Sequence, residues 1–376
     1  MPKPRKPPAR VVVKLGTGVL TSGIGRLNTA RLAQMCAQLA ALRAAGTEVI
    51  VVSSGAVGLG MGRLGLKRRP AETALKQACA AVGQSLLMQT WQAAFEPHGI
   101  TVAQVLLTHE DLRGRARYLG VKHTLARVIG YGAVPIINEN DAVSAVEIKE
   151  TGRGFGDNDT LSAMVAALVG AQFLVILSTA PGLIDLKGTG KIIPVVERIT
   201  PEIEAMAGGA NLARRVGSGG MATKIAAASI AAAAGCATIV TLGRLEGPLS
   251  ALETGAGATL FEASGAPAAA YKAWIAGSLA PHGALTVDDG AAAAIRAGKS
   301  LLAAGVKSVQ GRFGKGDAVV VRDGAGREVG RGLARYDAAD ARRIVGLRSG
   351  AIETLLGEAA GPLIHADDLA LGPRAP

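Results

Sequence analysis

Residues 11–18 read VVVKLGTG, a short apolar run of β-branched character that holds Lys14 and stops at Gly16-Thr17-Gly18. A run of that length and composition predicts a buried strand, and the glycines turn its end sharply. Downstream, Asn28 and Thr29 are candidate caps, after which Leu32, Met35, Cys36, Leu39 and Leu42 recur at helical spacing until Gly46. Residues 48–53 predict a second strand, ending in Ser54-Gly55. Residues 101–107 predict a third, ahead of a charged helix, and residues 133–137 a fourth that ends in Asn138-Glu139-Asn140-Asp141. A helix from about Asp159, a strand over 173–178, a helix over 222–234 and a strand over 237–242 continue the series. This alternation predicts an α/β fold whose mostly parallel sheet is sandwiched by helices.

The chain has 376 residues, 49% hydrophobic and 19% charged, which excludes global disorder and leaves room for two or three domains. Three cysteines without CxxC spacing exclude a disulfide framework and fit a reducing compartment. No HExxH and no Cys/His cluster of zinc spacing occurs. The uncharged runs 160–184 and 225–243 are each split by a glycine, Gly170 and Gly235, into an Ala-rich helical part and a β-rich part. They predict a buried helix followed by a buried strand, and no membrane span. No apolar signal-peptide core precedes them, so the expected location is cytoplasmic.

The net charge is +12, with Lys3, Arg5, Lys6 and Arg10 unopposed in the first ten residues, which form a basic tail over 1–10. An α/β domain is expected over 11–262. The Ala, Gly and Pro of 263–283 mark a linker, and 284–376 reads as a small β-rich module. In that module 318–322 and 327–336 form a hairpin about the turn 323–326, followed by a short helix over 337–345. From residue 284 onward 13 basic side chains stand against 11 acidic ones, so no compact polybasic face emerges.

Several familiar motifs are near misses. Gly60, Gly62 and Gly65 match GxGxxG after a strand, but Lys67 to Pro70 follow where a helix should open. Gly298-Lys299-Ser300 resembles the end of a Walker A loop, yet position 293 is Ala and the segment reads as helix. No GxSxG is present, which leaves a nucleophile-elbow hydrolase without support. What remains fits phosphoryl transfer. Lys14 sits at a strand end before Gly16 and Gly18, and GSGGMATK at 217–224 combines a glycine cradle with Thr223 and with Lys224 at a helix start. A lone lysine is ordinarily a solvated surface charge; flanking glycine turns at strand and helix ends argue otherwise. Asn138 to Asp141 and Gly156-Asp157-Asn158-Asp159 supply carboxylates and amides suited to an amino group or a lysine, besides their capacity to cap a helix.

The segments KLGTGVL, VVSSGAV, AAVGQSLLMQ, VPIINENDAV, GDNDTLSA, GSGGMATK, KAWI and LTVDDGAAAAI occur in this order from about Val11 to near the C-terminus. Together they resemble the glutamate 5-kinases of the amino-acid kinase family, which carry a C-terminal PUA-type domain. The resemblance implies ATP and L-glutamate as substrates, L-glutamyl 5-phosphate as product in the first step of proline biosynthesis, and a requirement for Mg2+. It implies an ATP site of Lys14, Gly16, Thr17, Ser178, Thr179, Ser218, Gly219, Gly220, Met221, Ala222, Thr223 and Lys224. It implies glutamate contacts from Ser54, Asp141 and Asn158, with Asn138 and Asp157 beside them. Asp159 is the acid that orients Lys14 and Lys224, and these three are the implied catalytic residues, whereas metal ligands are not assigned. A homo-oligomer and glutamate-5-semialdehyde dehydrogenase (glutamyl phosphate reductase) as partner are further implications. The sequence departs from the family pattern at Ser178-Thr179 (usually Thr-Asp), at Ser218 (usually Thr), at Ala222 (usually Ser) and in about five extra residues near 151–155.

The chemistry agrees with these residues. A side-chain carboxylate of ordinary pKa about 4.3 is already ionised at neutral pH and needs no general base to attack phosphorus. The difficulty is to bring an anion against a polyanion, which calls for in-line positioning and for cations such as Lys14, Lys224 and Mg2+. Acetylglutamate kinase, aspartokinase and UMP kinase chemistry are alternatives within the family. RNA binding through the PUA-like module is the alternative from another class.

Overall fold

The computed structural model describes residues 7–108, 110–112, 115–143, 158–185, 188–207, 220–264, 281–356 and 361–372. Strands of the first unit are, in chain order, β1 (Arg10–Leu15), the hairpin β2 (Thr21–Gly23) and β3 (Arg26–Leu27), β4 (Glu48–Ser53), β5 (Val102–Leu107), β6 (Val134–Glu139), β7 (Phe173–Ser178), β8 (Val195–Val196), β9 (Ala237–Leu242) and β10 (Ala258–Phe261). Eight of them form one sheet in the order β5-β6-β4-β1-β7-β9-β10-β8. Every neighbouring pair is parallel except β9 with β10.

β1 lies at the centre, between β4 and β7. Its alternate residues Val11, Val13 and Leu15 join a core with Leu32, Met35 and Leu39 of the helix Thr29–Ala44 and with Leu87, Trp91 and Phe95 of the helix Thr73–Phe95. Val12 and Lys14 point to the opposite face, where the helix Asn158–Val169 packs on β1, β4 and β7 and the helix Met221–Ala233 lies beside it. Both faces are thus covered, as continuous apolar strands require. The chain passes from β1 to β4 on one side and later to β7 on the other. This reversal opens a crevice at the strands' carboxyl ends, the place where such sheets hold ligands.

Local chemistry sets several boundaries. Asn28 caps its helix, Oδ1 accepting from Arg31 N at 3.0 Å. β6 continues two residues beyond the expected 133–137, so Asn138 belongs to the strand itself. β1 begins at Arg10, whose guanidinium lies 2.5 Å from Glu48, and Thr47 donates to the Pro8 carbonyl at 2.8 Å. Residues 8–10, counted with the basic tail from sequence, are therefore tied to the amino ends of the central strands. Cys36, Cys79 and Cys236 are buried and free, and burial pushes the thiols of Cys36 and Cys236 up to about 12.

The near-miss GxGxxG has a packing role instead. Gly60 and Gly62 lie in the helix Ala56–Arg63, which the sequence reading did not anticipate and which crosses the helix Thr73–Phe95 with backbone against backbone. A Cβ on Gly60 would sit 1.8 Å from the Cys79 carbonyl oxygen, and one on Gly83 would sit 1.8 Å from that of Ala56. Likewise Gly298-Lys299-Ser300 follows the helix Asp289–Arg296 instead of lying in it, and Gly298 has φ +79°.

The chain divides into two compact units, one made of residues 1–112 and 120–267 and the other of residues 113–119 and 268–376. The second unit holds β11 (Gly283–Val287), β12 (Val306–Gly311), β13 (Ala318–Arg322), β14 (Glu328–Leu333) and β15 (Leu369–Leu371), ordered β12-β11-β13-β14-β15. It has its own core around Leu285, Val319, Val321, Ile344 and Leu363. The expected turn at 323–326 is built by Asp323, whose Oδ1 accepts from Ala325 N and Arg327 N at 3.0 Å each. Asp337 caps the short helix Ala338–Ile344. Among the described residues, no helix is long and apolar enough to cross a membrane.

Candidate active site

At the carboxyl ends of β1, β4, β6 and β7 lies a cleft of about 600 Å3. Its floor is ionic. Lys14 Nζ lies 2.6 Å from Asp159 Oδ1, and Lys224 Nζ lies 3.0 Å from Asp159 Oδ2, which also accepts from Thr223 Oγ1 at 2.9 Å. Lys14 and Lys224 are 5% and 4% exposed and Asp159 is not exposed at all. The geometry follows from the fold. Lys14 points from β1 toward the start of the helix Asn158–Val169, in which Asp159 is the second residue, and Lys224 stands in the first turn of the adjoining helix.

Burial alone would push the Asp159 carboxyl up, but Lys14 and Lys224 outweigh it and hold the group below its ordinary range. Two lysines against one carboxylate leave a formal excess of one positive charge, withdrawn from water. For Lys224 the positive end of its own helix is a further unfavourable neighbour. Taken by itself, this trio suits an anion in the cleft.

A second cluster is made of amides. Asn158 Nδ2 donates to Ser53 O at 3.2 Å, to Ser54 Oγ at 2.8 Å and to Asn138 Oδ1 at 3.0 Å. Asn138 Nδ2 donates in turn to Gln84 Oε1 at 2.9 Å. Asp141 is half-buried at the same end of the sheet; burial pushes its carboxyl up, against a smaller opposing pull from Arg69. Gly55 gives the chain its turn out of β4 with φ +117°, a conformation that suits glycine. Ser178 Oγ accepts from Ala180 N at 3.1 Å, and Thr179 is exposed.

Of the residues expected from sequence, Lys14, Gly16, Thr17, Ser54, Asn138, Asp141, Asn158, Ser178, Thr179 and Lys224 line this one cleft. Asp159 and Thr223 support it from below. Gly220 caps the helix Met221–Ala233, and its carbonyl lies 2.8 Å from Thr223 Oγ1 as an alternative acceptor to Asp159 for the one hydroxyl hydrogen, with Met221 and Ala222 in the first turn. Asp157, Ser218 and Gly219 lie outside the described residues. Among those residues, no group of three or more His, Cys, Asp or Glu side chains is placed to hold a metal. Sequence reasoning passed over Arg69, which lines the cleft, and Gln84, which anchors the amide cluster. The only signal for Gln84 was its place in the segment AAVGQSLLMQ.

Comparison with known proteins identifies the family. The amino acid kinase family profile matches residues 9–241 and the PUA domain profile residues 283–356. Over 367 residues the chain is 58% identical to the glutamate 5-kinase of Caulobacter vibrioides strain NA1000 / CB15N, with 96% of each chain covered. It is 46% identical to glutamate 5-kinase 1 of Rhizobium meliloti strain 1021, covering 96% of this chain and 92% of that one. A carbamate kinase structure from Giardia is 18% identical, with a TM-score of 0.47, over 68% of this chain and 99% of that one. The chain belongs to the amino acid kinase family and carries a PUA domain after its kinase region.

Proposed function

We propose that this protein transfers the γ-phosphoryl group of ATP to the side-chain carboxylate of L-glutamate, giving L-glutamyl 5-phosphate and ADP, the first step of proline biosynthesis. The observation that carries the reading is the buried Lys14–Asp159–Lys224 trio, with its excess positive charge at the floor of a cleft whose rim offers amides and a carboxylate. The names of the near-full-length relatives support the choice of substrate.

The attacking oxygen is already anionic, so the site has no proton to remove, and no histidine among the described residues lines the cleft. Lys14 and Lys224 offset the charge of the transferring group, and Asp159 fixes where their ammonium groups stand. Asn158, Asn138, Ser54 and Asp141 orient the amino acid so that its distal carboxylate faces the lysines, and the resemblance adds Asp157 as a further contact. Gly16, Thr17, Ser178, Thr179 and the segment 220–224 surround the nucleotide, with Ser218 and Gly219 as further contacts implied by the resemblance. Both Asp159 oxygens are engaged by side chains, so the donor set suits a polyphosphate better than a protein-held ion. Mg2+ would accompany ATP, held mainly by phosphate and water, and would supply further charge neutralisation.

An acyl phosphate is short-lived in water, which fits a cytoplasmic homo-oligomer working beside glutamate-5-semialdehyde dehydrogenase as the consumer of its product. The test is ATP-dependent hydroxamate formation in the presence of hydroxylamine, run with glutamate, aspartate and N-acetylglutamate, and ADP release with UMP. Activity confined to glutamate is expected; a preference for any of the others would replace this reading.

A further inference from the structure

Gln84 lies on the helix Thr73–Phe95, is 8% exposed and does not line the active cleft. We infer that it is a positioning residue for substrate recognition, which fixes through Asn138 the direction in which Asn158 presents its amide. The inference rests on the proposed glutamate kinase reading and adds a residue to it.

The polarity of the amides starts from a group that cannot turn around. Ser53 O is a backbone carbonyl and can only accept, so the Asn158 atom 3.2 Å away must be the nitrogen; an oxygen there would set two acceptors against each other. Ser54 Oγ fits either orientation and decides nothing. With Asn158 Nδ2 on the inner side, the Asn138 atom 3.0 Å from it must be Oδ1, so Asn138 Nδ2 is turned to Gln84. Gln84 must then offer Oε1, at 2.9 Å. One carbonyl thereby sets the polarity of three amides in series.

The remote end of the series carries a visible cost. Gln84 Nε2 is buried without a hydrogen-bond partner among the described residues. A free Gln84 would have no reason to leave its donor there, whereas a Gln84 committed to accept from Asn138 has no choice. The near end carries the benefit. Asn158 Nδ2 shares its two hydrogens among these three acceptors, which leaves Oδ1 as the acceptor that this residue offers the cleft it lines. An acceptor there suits the α-ammonium group of an amino acid and gives nothing to the same acid without its amine.

The test compares glutamate with glutarate, which keeps both carboxylates and lacks the amine, in the wild type and in Gln84→Leu, Gln84→Met and Gln84→Glu. Loss of one charge-assisted hydrogen bond predicts that the glutamate:glutarate ratio of kcat/KM falls about tenfold in the two apolar variants, through KM for glutamate and with KM for ATP unmoved. Gln84→Glu keeps an acceptor for Asn138 and is expected to keep the ratio. A ratio unchanged in both apolar variants, or lost equally in Gln84→Glu, overturns the inference. Neutron diffraction from wild-type crystals decides the amide polarity independently of activity and of whether the variants fold. Deuterium on a Gln84 nitrogen facing Asn138 would overturn the relay, even if the protein proved to phosphorylate another acid.

Discussion

Lys14 Nζ and Asp159 Oδ1 stand 2.6 Å apart at the buried centre of the sheet's carboxyl edge, and the carboxylate they share with Lys224 leaves the cleft floor positively charged. The lysines are expected to act mainly on the transition state, so Lys14→Ala and Lys224→Ala should each lower kcat by at least about 100-fold. Asp159→Asn should also lower kcat, because the ammonium groups lose their anchor, but it removes a negative charge and should not weaken ATP binding. Steady-state kinetics with ATP affinity measured by calorimetry checks both statements. A folded lysine variant with near wild-type kcat would remove these residues from the mechanism.

The same carboxylate makes stability depend on pH with a definite sign. Asp159 is held below its ordinary value of 3.8 in the folded chain, so its contribution is fully present above the unfolded value and is lost as pH falls through the lower, folded one. The gap in unfolding free energy between wild type and Asp159→Asn should therefore be flat from pH 7 down to about 4 and shrink below it. Denaturant titrations across that range measure it, and a gap that widens on acidification would reverse the assignment.

Asp141 should behave oppositely. Burial pushes its carboxyl up, so the fold holds the ionised form less well than the unfolded chain does, a cost that appears as pH rises through the ordinary value and persists at neutral pH. Asp141→Asn should leave Tm at pH 7 unchanged or higher while raising KM for glutamate about tenfold or more, the worth of one charge-assisted contact. A fall in Tm with KM unaltered would make Asp141 a structural residue only.

The close glycine-mediated crossing of the helices Ala56–Arg63 and Thr73–Phe95 gives a packing prediction. Gly83→Ala puts a methyl group 1.8 Å from the Ala56 carbonyl oxygen, where the neighbour is backbone and must move as a unit. Destabilisation of about 1–3 kcal/mol or more is expected. Gly120→Ala, in a helix with nothing within 4 Å of the added carbon, should instead stabilise by up to about 1 kcal/mol. Thermal unfolding of the two variants tests the contrast.

The contrast also shows what the sequence could reveal. β4, β7 and β9 were legible to the residue because each is an apolar run bounded by turn residues; Lys14 was legible because it stands at the end of such a run, whereas Asp159 stood out only through the family resemblance of the segment GDNDTLSA. The helix Ala56–Arg63 was hidden, since its glycines read as loop chemistry until a second helix is seen lying against them. Gln84 was hidden for a similar reason: it meets Asn138 across 54 positions of chain, and nothing local marks a glutamine as an anchor. Chemistry concentrated in short polar segments is visible in one dimension, whereas close helix packing and amide polarity exist only once the elements are assembled.

The last prediction concerns Thr179, just beyond the end of β7, where the resembling kinases usually carry Asp. Thr179 is exposed and lines the cleft, and its Cγ2 lies 2.9 Å from where a Gly18 side chain would begin, so it stands at the mouth over the short helix Thr17–Leu20 that follows β1. A neutral side chain there does not oppose a triphosphate, but it lacks the carboxylate acceptor that would select a base or ribose hydroxyl by hydrogen bonding. ATP should remain a substrate while discrimination against GTP is weak, and Thr179→Asp should sharpen it by about tenfold, the worth of one added charge-assisted hydrogen bond. The substitution sits at the surface and should leave Tm nearly unchanged, so a changed ratio would report on recognition and not on folding. The measurement is kcat/KM for ATP and GTP in both proteins. An ATP:GTP ratio unmoved by the added carboxylate would place the base out of reach of position 179.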